Sequence, residues 1–142
     1  MTNNFFVYGT LQTECSNHRT INPDSIENIQ PAIINNMKLH MYNRSHFPCM
    51  IDGDSKVIGE VITIKESELS WSLMAMDRLE GYYGPDRVNF YDRKIKNVEL
   101  QDGTIIEAYT YIFNDSDPRD LGQHIKNGDF KSRLKNKKLG GK

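Results

Sequence analysis

The most regular hydrophobic pattern of the chain lies in its middle, at residues 67–80. The pattern is carried by four apolar residues, Leu69, Leu73, Met76 and Leu79. Their spacing repeats as one face of an α-helix does, so the segment predicts an amphipathic helix. Ser67 or Ser70 could cap its start, and Gly81 stands where a C-terminal cap is expected.

Glu80 falls in the last turn of this predicted helix. A negative charge is unfavourable at a helix C-terminus, and the macrodipole there would raise the carboxyl pKa above its usual value of about 4.3. A raised pKa suits a group that transfers protons. The same residue could equally be a solvated surface glutamate, and the helix alone leaves both interpretations open.

The chain before this helix has the pattern of β-strands. Apolar or β-branched runs predict extended segments at residues 5–8, 32–42, 47–51 and 57–64. Residues 22–29 indicate a short helical or irregular piece that Pro31 would end, because proline cannot continue a helix. The Asp-Gly-Asp sequence at 52–54 predicts a turn.

The chain after the helix predicts a β-hairpin. Residues 90–100 alternate between apolar and polar, residues 101–103 have hairpin-turn composition, and residues 104–113 form the returning strand. Asp117 and Pro118 would close that strand, and residues 121–134 indicate one or two weak helices broken near Gly128. Strands paired by hairpins around one central helix indicate an α+β fold with a mixed, strongly curved sheet.

Length and charge narrow the function classes. A chain of 142 residues predicts one domain with a real core. The net charge is −1, but residues 131–142 contain six Lys or Arg and no acid, which leaves 12 basic against 19 acidic residues in 1–130. We therefore expect a domain at 1–130 and a basic, solvated tail at 131–142. The acidic body argues against nucleic-acid binding.

The cysteine, histidine and hydropathy patterns suggest a cytoplasmic protein without a metal. Cys15 and Cys49 form neither a CxxC pair nor a disulfide framework, which favours a reducing compartment. The four histidines, at 18, 40, 46 and 124, lack ligand-like spacing. No run approaches 18 apolar residues, and the first residues do not have the pattern of a signal peptide, so no membrane association is expected.

The turn after the first strand is the second candidate for chemistry. A strand that ends at Tyr8 and runs into Gly9, Thr10 and Leu11 can leave several backbone N–H groups pointing at one place. Such a turn binds an anion or a polarised oxygen, but an ordinary strand end has the same composition. His18 follows in the next loop and could be catalytic, although an anchoring role in the loop is favoured.

Several segments taken together resemble a known family. They are Val7-Tyr8-Gly9-Thr10-Leu11, Asn17-His18, Met76-Asp77-Arg78-Leu79-Glu80-Gly81, Tyr91 with Arg93, and the strand Ala108-Tyr109-Thr110-Tyr111. In this order and separation they resemble the gamma-glutamylcyclotransferase-like family, on its gamma-glutamylamine cyclotransferase side. The first motif is weak alone. Its pairing with a helix-ending Asp-x-x-Glu-Gly about seventy residues later is much more specific.

The resemblance implies a small mixed β-barrel flanked by helices, with one cavity at the barrel mouth. The implied reaction releases 5-oxoproline and a free amine from a gamma-glutamyl amide, with no metal or cofactor. Carried over residue by residue, Glu80 would be the catalytic acid/base. Tyr8, Gly9, Thr10 and Leu11 would hold the glutamyl group, and Tyr91 would form a wall of the pocket.

The resemblance leaves some questions open. The loop at residues 82–86 is distinctive and would shape the side of the cavity where the leaving amine sits, so the amine half of the substrate is undetermined. The signature of the glutathione-specific branch is absent. A non-catalytic module that binds a gamma-glutamyl or similar group is the alternative, and a nucleic-acid accessory protein acting through the basic tail is a third interpretation. No pattern indicates the oligomeric state.

Overall fold

The computed structural model describes residues 2–43, 45–114 and 118–140. Its strands are β1 (Asn4–Val7), β2 (Ile26–Tyr42), β3 (Pro48–Ile64), β4 (Tyr91–Leu100), β5 (Ile105–Phe113) and β6 (Leu121–His124). Its α-helices are α1 (Leu69–Glu80) and α2 (Phe130–Gly140). Single 3₁₀ turns lie at His18–Thr20, Pro23–Ser25, Glu66–Glu68 and Pro118–Asp120.

Five of the strands close into a barrel. They pair in the order β3-β1-β5-β4-β2, and β2 pairs again with β3. The β1–β5 contact is parallel and the other pairings are antiparallel, so the barrel is mixed. Strand β6 adds to β2 at His40 and Tyr42. This architecture confirms the expected α+β fold with a small, strongly curved barrel and helices beside it.

Alternation along the strands builds two apolar clusters on opposite faces of the sheet. All five barrel strands contribute to the inner cluster, which includes Phe6, Ala32, Val61, Val98 and Ile112. The outer cluster lies under α1 and includes Phe5, Ile62, Met76, Tyr91 and Tyr111. Helix α1 is therefore packed against the outside of the barrel beside the end of β1, and this packing sets the position of its last turn.

The central helix predicted over residues 67–80 is confirmed, but it begins two residues later than predicted. A 3₁₀ turn occupies 66–68, and α1 begins at Leu69. Neither Ser67 nor Ser70 caps it: the N-cap is Glu68, which makes no side-chain capping bond, because the preceding 3₁₀ turn already engages the backbone there. Gly81 ends the helix as expected, with φ 67° in the left-handed region that favours glycine.

Two predictions before the helix are wrong for the same reason, a long β2–β3 ribbon. Pro31 does not end a helix but lies inside β2, beyond the two residues of β2 that pair with β4, so its missing N–H removes no bond to β4. Residues 52–54 are not a turn but lie inside β3. Met37 faces both Asp52 and Ser55, so the extra residues are absorbed as a bulge.

The C-terminal prediction is wrong over residues 121–124, which form β6 rather than helix because they pair with the edge of β2. Helix α2 starts only after Gly128, and its first residue, Phe130, is buried in the inner cluster. Of the pair expected to close β5, Asp117 lies outside the described residues. No helix in the described part of the chain is both long and apolar enough to cross a membrane.

Candidate active site

A cavity of about 420 Å³ opens between the end of β1 and the last turn of α1. All six residues singled out from the sequence line it: Tyr8, Gly9, Thr10, Leu11, Glu80 and Tyr91. The two candidate motifs, about seventy residues apart in the chain, thus face the same small volume. Their meeting depends on the packing of α1 over the outer face of β1 and β5.

The turn after β1 is held by the loop that follows it. The Asn17 backbone N–H donates to the Thr10 carbonyl at 2.9 Å, and its side-chain amide donates to the Thr10 hydroxyl at 2.9 Å. His18 Nδ1 donates to the Leu11 carbonyl at 2.9 Å, so His18 anchors the loop, as expected. The backbone N–H groups of Gly9, Thr10 and Leu11 donate to no protein group in the described part of the chain.

Gly9 is needed for a close contact rather than for an unusual backbone angle. A Cβ atom at this position would lie 2.8 Å from Pro48 Cγ and 3.0 Å from Cδ. The first residue of β3 therefore packs directly against the turn. Any side chain at position 9 would push these two walls of the cavity apart.

Glu80 is the last residue of α1, and burial raises its pKa from 4.5 to about 7. The pKa is raised, as the sequence predicts, but the cause in the structure is desolvation of the carboxyl rather than the macrodipole at the helix C-terminus. The residue keeps some exposure toward the cavity. Within residues 2–43, 45–114 and 118–140 no group donates a hydrogen bond to its carboxyl, so neither protonation state is locked.

Three tyrosines surround this carboxyl as neutral phenols, because burial raises the pKa of Tyr8, Tyr91 and Tyr111 well above 10. Their protons are engaged elsewhere. Tyr8 donates to the Tyr111 carbonyl at 2.6 Å, and Tyr91 donates to the Pro48 carbonyl at 2.6 Å. Of these four groups, Glu80 is the one whose pKa, at about 7, lies near neutral pH.

Asp77 fixes the turn of α1 that carries Glu80. Its carboxylate accepts a hydrogen bond from the Tyr111 hydroxyl at 2.6 Å and forms an ion pair with Arg93. The Arg93 guanidinium lies between the rings of Tyr82 and Tyr109, at 5.0 and 5.2 Å from their centroids. Helix α1 is thereby joined to β4 and β5 one turn before its end.

Several lining residues were missed by the sequence analysis. Phe47, Pro48, Phe90 and Tyr111 line the cavity, as do the exposed residues His46 and Arg78. The alternation of the 104–113 strand could have suggested Tyr111, but nothing local marks Phe47 or Phe90. Residues 82–86, expected to shape the leaving side, do not line this cavity; Tyr82 instead packs on Arg93.

The chemistry available here is proton transfer beside a set of N–H donors. Glu80 is the one carboxyl group that lines the cavity, and neither Ser nor Cys does so among the described residues. No cluster of three or more His, Cys, Asp or Glu side chains in the described ranges could hold a metal ion. A wall of donors opposite an acid/base carboxyl can polarise a carbonyl and move protons around it.

Comparisons with known proteins assign this closed mixed barrel to a family. The model of the family "Gamma-glutamyl cyclotransferase, AIG2-like" matches residues 5–132. The chain therefore belongs to this family and is an enzyme of the cyclotransferase class.

Individual relatives support the same placement. The chain is 29% identical over 115 residues to the gamma-L-glutamyl-butirosin B gamma-glutamyl cyclotransferase of Niallia circulans, a match that covers 80% of this chain and 69% of that one. It is similar in structure to YkqA from Bacillus subtilis, with TM-score 0.70, 22% identity and coverage of 98% and 43%. An AIG2-like protein from Mus musculus gives TM-score 0.65, 20% identity and coverage of 87% and 86%. At these identities the two structures show the fold alone.

Proposed function

We propose that the protein cyclises the gamma-glutamyl group of a gamma-glutamyl amide, releasing 5-oxoproline and a free amine, with Glu80 as the acid/base. The Niallia circulans relative is named for a gamma-glutamyl compound, which supports this substrate class. The observation that carries the proposal is the Glu80 carboxyl, with a pKa raised to about 7, in the same cavity as the Tyr8–Leu11 turn.

The reaction is an intramolecular acyl transfer. Glu80 takes a proton from the substrate's α-ammonium group, and the freed amine attacks the γ-carbonyl carbon to form the new N–C bond. Glu80 passes this first proton to solvent, takes the second from the ring nitrogen of the tetrahedral intermediate and gives it to the leaving nitrogen. The bond from the γ-carbon to that nitrogen then breaks, and the products are 5-oxoproline and the neutral amine. One carboxyl can serve both nitrogens, because both are bound to the same carbon after attack, and such catalysis contributes about 10²–10⁴-fold.

In this proposal the turn after β1 stabilises the negative charge of the reacting glutamyl group. The N–H groups of Gly9, Thr10 and Leu11 have no acceptor among the described residues, and they would hold either the oxyanion or the α-carboxylate of the glutamyl group. Tyr91 forms the wall beside them. Holding the chain folded for ring closure is the other large contribution, since oriented groups reach effective molarities on the order of 10⁵ M or more.

The test is to incubate the protein with a panel of gamma-glutamyl amides and to measure 5-oxoproline. Wild type is expected to release it and Glu80→Gln to release none above background, because an amide cannot shuttle the proton. Binding of the panel without release by wild type would support a non-catalytic module and contradict the proposal.

A further inference from the structure

The proposed function leaves the amine half of the substrate unassigned. The loop after α1, which the sequence suggested as its binding site, is not part of the cavity wall. Residues 82–86 do not line the cavity, and the Tyr83 side chain is 65% exposed to solvent. Two other segments line the cavity, the residues that enter β3 and the residue that precedes β4. These segments contribute Phe47 and Phe90.

Phe47 and Phe90 form one continuous aromatic wall. Their ring centroids are 6.0 Å apart in an edge-to-face arrangement. Phe90 also packs on Tyr91 at 5.0 Å and on Phe113 at 5.2 Å, and Phe47 stacks on Tyr42 at 5.2 Å. The two rings are thus supported from behind by the outer cluster, while Phe90 keeps 38% exposure. A supported ring that remains partly uncovered can bury further surface on a ligand.

This wall lies next to both parts of the proposed reaction site. The Phe90 backbone N–H donates to the Gly81 carbonyl at 3.0 Å, which puts Phe90 beside the residue that follows Glu80. Phe47 precedes Pro48, whose ring packs against Gly9. A glutamyl group held between the turn and Glu80 would therefore direct its departing nitrogen, and whatever that nitrogen carries, along the two rings.

The charges around the cavity disfavour a cationic amine half. Among the described residues that line the cavity, Glu80 is the one acidic side chain, and the proposed reaction already engages it. Arg78 is exposed and lines the cavity, and within the described ranges its guanidinium has no ion-pair partner. A protonated amine would meet this positive charge without a carboxylate to balance it. Aromatic faces can hold a cation by themselves, so a cationic substrate has to be included in the test.

We infer that Phe47 and Phe90 form the subsite for the amine half of the substrate, and that this half is uncharged and apolar or aromatic. The inference rests on the proposed function. The cavity volume of about 420 Å³ lies near the lower end of the range for small-molecule sites, roughly 300–1,000 Å³. A single amine of moderate size, such as a phenethyl or branched alkyl amine, fits this description better than a long or highly charged one.

The experiment compares three gamma-glutamyl amides that differ only in the amine: phenethylamine, ethylamine and 1,5-diaminopentane. The measured quantity is kcat/KM for 5-oxoproline release by wild type, Phe90→Ala, Phe47→Ala and Tyr83→Ala. Tyr83→Ala is the matched control, because it removes an exposed aromatic ring close in the chain to Phe90 that does not line the cavity. Thermal melts establish which variants are folded, and the wild-type series is decisive by itself.

Wild type is expected to favour the phenethyl over the aminopentyl substrate by at least about 10-fold, because the terminal ammonium of the aminopentyl group would be desolvated beside the two rings without a carboxylate partner. Phe90→Ala and Phe47→Ala should lower the phenethyl-to-ethyl ratio by a similar factor, and Tyr83→Ala should leave it unchanged. Equal or better use of the aminopentyl substrate, or a ratio altered by Tyr83→Ala and not by the two phenylalanine variants, overturns the subsite. No 5-oxoproline from any substrate would instead refute the proposed function and the subsite with it.

Discussion

Replacing Glu80 by Gln should stabilise the protein at alkaline pH while removing its activity. Glutamine has nearly the same shape as glutamate, but it carries no charge. In the folded protein burial raises the Glu80 pKa from 4.5 to about 7. The wild-type protein therefore has to keep an ionised carboxyl in a poorly solvated position above neutral pH, which the variant does not.

The magnitude follows from the pKa difference. Because the folded pKa is the higher one, the neutral carboxyl stabilises the fold fully below pH 4.5, and this stability is lost as the pH rises to about 7. At about 1.4 kcal/mol per pKa unit, the free energy of unfolding of wild type falls by about 3 kcal/mol across that interval. Glu80→Gln should have no such fall. It should match wild type near pH 4.5 and exceed it by up to about 3 kcal/mol above pH 8.

Urea unfolding of both proteins at pH 4.5, 6 and 8.5 measures this difference directly, and 5-oxoproline release measures the loss of activity. Glu66→Gln is a suitable control, because Glu66 is an exposed carboxylate in the 3₁₀ turn before α1. Its stability should follow wild type at every pH. A Glu80→Gln variant equal to wild type at pH 8.5, or more stable by the same amount at all three values, would refute the argument from burial.

Three further predictions concern the parts of the site. The kcat/KM for 5-oxoproline release should rise as the pH passes through about 7, because Glu80 must be ionised to accept a proton; this is measured from a pH–rate profile. Asp77→Asn should lower kcat more than it raises KM and reduce stability by about 1–3 kcal/mol, since it removes the Arg93 ion pair beneath the turn that carries Glu80. Steady-state kinetics and urea unfolding measure both effects. Gly9→Ala should lower stability by about 1–3 kcal/mol and weaken substrate binding, because its Cβ would lie 2.8 Å from Pro48 Cγ; melting curves and KM report these effects.

Each of these predictions has an outcome that contradicts it. A kcat/KM independent of pH between 5.5 and 8.5 would show that Glu80 is not the titrating group. Asp77→Asn should be compared with Asp86→Asn, which alters an exposed loop carboxylate, and equal kinetics of the two variants would remove Asp77 from any positioning role. Unchanged stability and KM in Gly9→Ala would mean that the turn and the start of β3 can separate without consequence.

The sequence by itself determined the elements whose signals are local. Helix α1 was predicted because its apolar stripe and its glycine cap lie within one short segment, and the 90–113 hairpin because two alternating strands flank a turn. The motif at Tyr8–Leu11 and the Glu80 motif could be found because each is short. Their joint occurrence indicated the family and, through it, the barrel.

Only the tertiary structure decided what depends on pairing across the chain. Residues 26–31 and 52–54 become strand because β2 and β3 pair along their length, and residues 121–124 become strand because an edge of β2 is available. The aromatic wall is formed by Phe47 and Phe90, 43 residues apart in the chain, and the cavity in which the partly buried Glu80 lies is lined by residues as distant as Tyr8 and Tyr111. Desolvation depends on everything that surrounds a group, so it appears only when the whole chain has folded.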